Sequence, residues 1–115
     1  METYAIHKTA MIKPRYARMT MDLVRGKSVA VARGILENTN TKSSRLILKV
    51  LNSAVANAVN NNGANEADLV ISKCFINPGP IYKRIQFASR GNVDRHDKRT
   101  SHIAVYVTDN KEVTE

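Results

Sequence analysis

One cysteine, Cys74, stands in a chain of 115 residues, so no disulfide can close within it and no thiolate cluster can hold a metal. That usage fits an intracellular, reducing location. No run approaches eighteen uninterrupted apolar residues, and the opening METYAIHKTA alternates like a strand without an apolar signal core, which speaks against membrane spanning and secretion. A peripheral membrane partner would require a wide-faced amphipathic helix backed by Lys and Arg, or a lipidation signal. Neither is there. Also missing are a glycine-rich phosphate loop, a nucleophile elbow and any Ser/His/Asp order. His7, His96 and His102 are too scattered to define a ligand set, and none stands at metal spacing from Cys74. No catalytic residue, metal or cofactor is expected. Without repeats, low-complexity runs or linkers, residues 1–115 read as one domain with a frayed tail over 109–115.

Positive charge is what the sequence has in excess. Eighteen Lys and Arg against ten Asp and Glu give a formal charge of +8. A surface this basic repels itself unless phosphate or an anionic membrane meets it. With membrane features missing, nucleic acid becomes the default partner.

Residues 3–12 alternate apolar and polar and predict a strand. Pro14 suits the first position of a helix, PRYARMTMDLVR, that Gly26 can end. On it Arg15, Arg18, Asp22 and Arg25 share one face at i, i+3 and i+4 spacing, leaving Tyr16, Met19 and Leu23 for another. Met11, Met19 and Met21 read as core rather than as a binding platform. Ser28 is a candidate N-cap for VAVARGILEN, with Ala32, Ile35 and Leu36 as its buried stripe. The longest helix starts near Thr41 or Lys42 and stops at Gly63. Its stripe is Ile47, Val50, Leu51, Ala54 and Ala58, and Lys42, Arg45, Lys49, Asn52 and Asn60 gather on the polar side.

After a polar turn, DLVISKCFI is rich in β-branched residues and predicts a strand that NPGP ends. From Ile81 to Val107 no helical pattern appears, and Gly91-Asn92 sits about midway, so two strands joined by a turn are expected. Ile103, Val105 and Val107 alternate with Ala104 and Tyr106 at the base of this hairpin, whose arm covers about residues 80–103. Toward the tip, KRIQFASRGNVDRHDKRTS offers little to bury. Eleven residues of arm reach roughly 35 Å, against a radius of gyration of about 13 Å for a compact domain, so the tip should project. An isolated two-stranded hairpin is marginal in water. Lys83, Arg84, Arg90, Arg95, Lys98 and Arg99 outnumber Asp94 and Asp97 in it, so a polyanion should surround it.

Basic residues also guard edge strands against aggregation. The hairpin's length, its arginines, which favour bidentate phosphate contacts and base stacking, and the basic helical faces weigh toward RNA. Tyr82 and Phe87 could stack on bases or fill the arm. Asp94, His96 and Asp97 make a poor metal or nuclease centre, because on a strand Asp97 points away from the other two and Arg95, Lys98 and Arg99 oppose a cation. An architectural DNA-binding β-ribbon is the main alternative.

Five stretches carry a closer likeness: KPRYAR with DLVRGKSVAVARGIL, KVLNSAVANAVNNNG, FINPGPIYKRI, RGNVDR and KRTSHI. In that order, from about Ile12 to Val107, the chain resembles the L twenty-two family of bacterial large-subunit ribosomal proteins. The resemblance implies an α+β fold of three helices packed on a small three-stranded antiparallel sheet, with a long protruding β-hairpin. It implies binding to large-subunit ribosomal RNA, a part in subunit assembly, and a hairpin that lines the nascent-peptide exit tunnel in a cytoplasmic ribosome. The implied partners are that RNA, neighbouring large-subunit proteins and the nascent polypeptide. By matching position, Lys83, Arg84, Arg95, Lys98, Arg99, Thr100, Ser101 and His102 belong to the RNA-contacting hairpin, and Pro14, Arg15 and Arg18 to the start of the first helix. The basic set is completed by Arg90, Arg25, Lys42, Arg45 and Lys49, and the tunnel-lining tip by Ala88, Ser89, Arg90, Gly91, Asn92 and Val93. The chain departs from the family pattern at Phe87, Ala88 and Asn92, where proline and arginine are usual, at His96 and Asp97, and at Lys13, where a capping serine is common.

Overall fold

Alternation in ETYAIHKTA produces the first strand, β1, over Glu2–Ala10. In this computed structural model, residues 2–87, 89–91 and 93–109 are described, save the side chains of 84, 86, 87, 89 and 93–96. Helices α1 (Pro14–Met21), α2 (Val29–Asn38) and α3 (Lys42–Asn62) follow, then strands β2 (Val70–Phe87) and β3 (Val93–Thr108). The sheet order is β1-β3-β2, with both pairings antiparallel. The architecture is the expected α+β one.

Local chemistry explains the helix ends. Thr41 Oγ1 accepts the Ser44 N–H at 3.2 Å while Ser44 Oγ accepts the Thr41 N–H at 3.3 Å, a reciprocal cap that fixes where α3 begins. Gly63 ends it at φ 66°, where a side chain would be strained. Ser28 Oγ accepts from Val31 N and starts α2. The first helix is shorter than the sequence pattern predicts. Beyond Met21 the backbone bonds tighten, Leu23 N–H to Thr20 O and Val24 N–H to Met21 O, a 3₁₀-like winding that carries Val24 into the core at 1 % exposure.

The predicted stripe of α3 is buried throughout, with Val55 added. Together with Ala17, Met21, Val29, Ala32 and Leu36 it covers the sheet face made by Ile71, Cys74, Ile76, Ile103, Val105 and Val107. Ile35 packs against this core half-buried. The other face carries an aromatic cluster in place of helices: Tyr4 stacks on Tyr106 with centroids 5.1 Å apart, and Phe75 tilts against Tyr106 at 5.8 Å. One apolar assignment fails: Met11 and Met19 are exposed, and of the three methionines only Met21 is core; Tyr16 on α1 and Leu23 just beyond it are exposed as well. Ala17, Thr20 and Met21 take the buried face instead.

The NPGP segment does not end β2. Pro78 pairs with Ser101 and Ile81 with Arg99, so two residues bulge opposite Thr100 and the strand continues into the arm. Prolines are tolerated there because β2 lies at the sheet edge. Gly79 is required by closeness: an added Cβ would lie 2.5 Å from Thr100 Oγ1. A matching irregularity shifts the register of β1 between His7 and Ala10, and the strand ends at Ala10, two residues before the expected end. There Thr9 sits at φ 56° and its N–H donates to His102 Nδ1 at 2.9 Å.

Candidate nucleic-acid interface

Helix α1 opens at Pro14 after an extended Lys13 whose side chain makes no capping bond, and its first turn has no acidic residue. The positive end of the helix is therefore left for an outside anion to compensate. Arg15 rises from this turn and Arg18 from the last one, and both face Arg99 and Pro78 at the root of the arm, enclosing with Lys13 a cleft of about 470 Å³. A second cleft of about 250 Å³ adjoins it, where Lys13, Lys42, Lys98 and Arg99 meet beside Asp97. Lys42 is held in place by donating from Nζ to Met11 O at 2.6 Å. Six cations from α1, α3, β3 and the loop before α1 thus converge on one concave strip. Phosphates could enter it with several charges at once. Lys13, which the sequence marked only as a departure from a family pattern, lines both clefts; its place beside a helix-starting proline was the available signal.

Other predicted residues lie elsewhere. Arg18 and Arg25 donate to the carbonyls of Ile76 (3.3 Å) and Cys74 (3.1 Å), sealing the outer edge of β2. Both residues thus guard this edge, and Arg18 serves the cleft as well. Arg25 also pairs with Asp22, and this hydrogen bond chiefly raises its already high pKa. Arg45 donates to Asn40, and Lys49 lines a separate cleft against Ala5, Ile6 and His7 on β1. Thr100 and Ser101 are buried. The Thr100 hydroxyl donates to Pro80 O at 2.6 Å and that of Ser101 to Ile12 O at 2.7 Å. With His102 bound to Thr9, Ser101 and His102 anchor the arm to the body while Thr100 ties its two strands together at the root.

The arm stands clear of that body: the molecule measures 60 × 26 × 22 Å with a radius of gyration of 17.0 Å, against roughly 13 Å for a compact domain of this length. On it Ile85 is 73 % exposed, Ile81 49 % and Tyr82 37 %, and Lys83 is exposed beside them. The backbone register sets Lys83 opposite Asp97, Arg84 opposite His96, Ile85 opposite Arg95 and Gln86 opposite Asp94. Among the described residues no group of three His, Cys, Asp or Glu could hold a metal. The turn comes slightly earlier than expected, at Ser89–Gly91, with Arg90 and Gly91 left-handed at φ 62° and 75°. Arg90 is exposed there. The side chains of Arg84, Phe87, Ser89, Val93, Asp94, Arg95 and His96, and Ala88 and Asn92 entirely, lie outside the described residues. No helix among the described residues is long and apolar enough to cross a membrane.

The family model described as Ribosomal protein L22p/L17e matches residues 5–108, a span that includes α1, α3, both clefts and the whole arm. Such a match joins the basic strip and the projecting hairpin to a known architecture. The chain belongs to the L22p/L17e ribosomal protein family, whose members are structural proteins of the large subunit and bind its RNA.

Proposed function

We propose that the whole chain acts as one RNA-binding domain in the cytoplasmic ribosome, seating large-subunit RNA in the basic strip at the arm's root and sending the hairpin along the nascent-peptide exit tunnel. The observation that carries this reading is the convergence of Lys13, Arg15, Arg18, Lys42, Lys98 and Arg99 beside an arm that exposes Ile81 and Ile85. Cations at the root neutralise phosphates and release counterions. Ile81 and Ile85, exposed on the arm, are covered when RNA closes around them, so docking and ordering of the arm are coupled. By bridging RNA segments that otherwise repel, the protein supports subunit assembly, and residues 88–93 meet the tunnel and its nascent polypeptide.

Charge reversal at Arg99 tests the reading. Arg99→Glu replaces a cation common to both clefts with an anion, and its incorporation into large subunits, followed by gradient sedimentation against the parent chain, is expected to fall severalfold. Incorporation equal to that of the parent chain would contradict the proposal. Stronger binding to duplex DNA than to the structured RNA would favour an architectural DNA-binding role instead.

A further inference from the structure

We infer that an apolar cleft between α1 and the start of α3 takes an unstacked base of the bound RNA. This rests on the RNA-binding reading above and adds where one base goes. The cleft measures about 430 Å³, within the roughly 300–1,000 Å³ of small-molecule sites. Its walls include Met11, Tyr16 and Met19, which are 48 %, 52 % and 63 % exposed. Single exposed apolar residues are ordinary, whereas several converging on one concavity mark a binding surface. At its floor the hydroxyls of Thr20 and Ser43 are bonded to each other at 2.6 Å, so little polar surface competes with a flat ring.

The rim identifies the occupant. Lys13 and Lys42 line this cleft and also the basic one next to it. Lys42 spends one donor on Met11 O and keeps two for phosphate, while the Lys13 ammonium lies 6.0 Å from the Tyr16 ring centroid. A strand whose phosphates are held by these lysines passes the cleft mouth and can turn a base inward, onto a tyrosine ring and soft thioethers. Aromatic stacking of unpaired bases beside a cationic backbone track is the general mode of single-stranded RNA recognition. Positive charge at the rim favours such a strand over an apolar segment of another protein.

The test is filter binding of the full chain to large-subunit ribosomal RNA carrying 4-thiouridine, over a range of KCl concentrations, with crosslinked peptides mapped after irradiation. Tyr16→Ala is expected to weaken binding at fixed salt by roughly 5- to 150-fold, the weight of one base stack. The slope of log K against log salt should stay unchanged. Tyr16→Phe should restore affinity, Lys13→Gln should reduce the slope by about 0.7–1, and crosslinks should fall on Tyr16 or Met19. Both side chains are exposed, so these variants leave the core intact. If the parent chain binds and Tyr16→Ala binds equally well, with crosslinks elsewhere, the inference is overturned while the RNA-binding reading survives. Self-association abolished by Met19→Glu, or crosslinks at the cleft to another large-subunit protein, would assign it to a protein partner and overturn it too. Failure of the parent chain to bind the RNA would overturn both readings.

Discussion

Cys74 shows how one residue's environment decides its chemistry. Its thiol sits in the inner face of β2 at 4 % exposure, and burial pushes its pKa up, outweighing the opposite pull of the Arg25 guanidinium. The thiolate is the reactive form, so the folded chain should resist a thiol reagent such as 5,5′-dithiobis(2-nitrobenzoate) at pH 7.5 and react fully once unfolded by urea. Rapid labelling of the native chain would contradict this. Linkage gives the sign of the pH effect: a thiol whose folded pKa lies above its unfolded one imposes no penalty below the unfolded value, about 8.5. The urea midpoint should therefore fall as pH rises beyond that point, and Cys74→Ala should lessen the fall. The packing of Cys74 as a small hydrophobe is legible in the β-branched strand DLVISKCFI that surrounds it. Exposure of Met11 and Met19 was not legible, since residue type suits core and pocket wall alike and only the packing of Ala17, Thr20 and Met21 decides which face turns inward.

At the scale of elements, capping and periodicity carried the helices: Ser28, Thr41 and Gly63 mark their ends, and the α3 stripe is buried as its spacing requires. The NPGP segment misled for a physical reason. Proline and glycine usually end strands, but on an edge strand they can form a bulge, and nothing local announces that Thr100 will lie beneath Gly79. Two glycine substitutions separate these cases. Gly79→Ala forces a methyl toward a buried hydroxyl that is already committed to Pro80 O, and the cost should be about 1–3 kcal/mol in urea unfolding. Gly34→Ala, in mid-α2 with open space around the added carbon, should raise stability by about 0.5–1 kcal/mol. Equal effects of the two would show that closeness at the arm's root is unimportant. Thr100 and Ser101 belong to the same root, and their buried hydroxyls are bonded to Pro80 O and Ile12 O, a commitment that matching positions alone do not reveal.

For the whole molecule, the excess of positive charge and the poverty of apolar residues in the hairpin are enough, as sequence features, to point to a polyanionic partner, and the projecting arm was legible from length alone. Convergence of the cations was not, because Lys13, Lys42 and Arg99 are distant in sequence and meet only through the packing of α1 and α3 beside the root of β3. A body that presents this strip, together with an arm exposing Ile81 and Ile85, gains its remaining contacts outside itself. The most direct measurement is sedimentation of the native chain in cell lysate on a gradient resolving free protein, ribosomal subunits and nucleoid, before and after a high-salt wash. RNA enclosing both the strip and the arm predicts co-migration with the large subunit that survives the wash. Absence from that subunit, with recovery on DNA or as free protein, would contradict it.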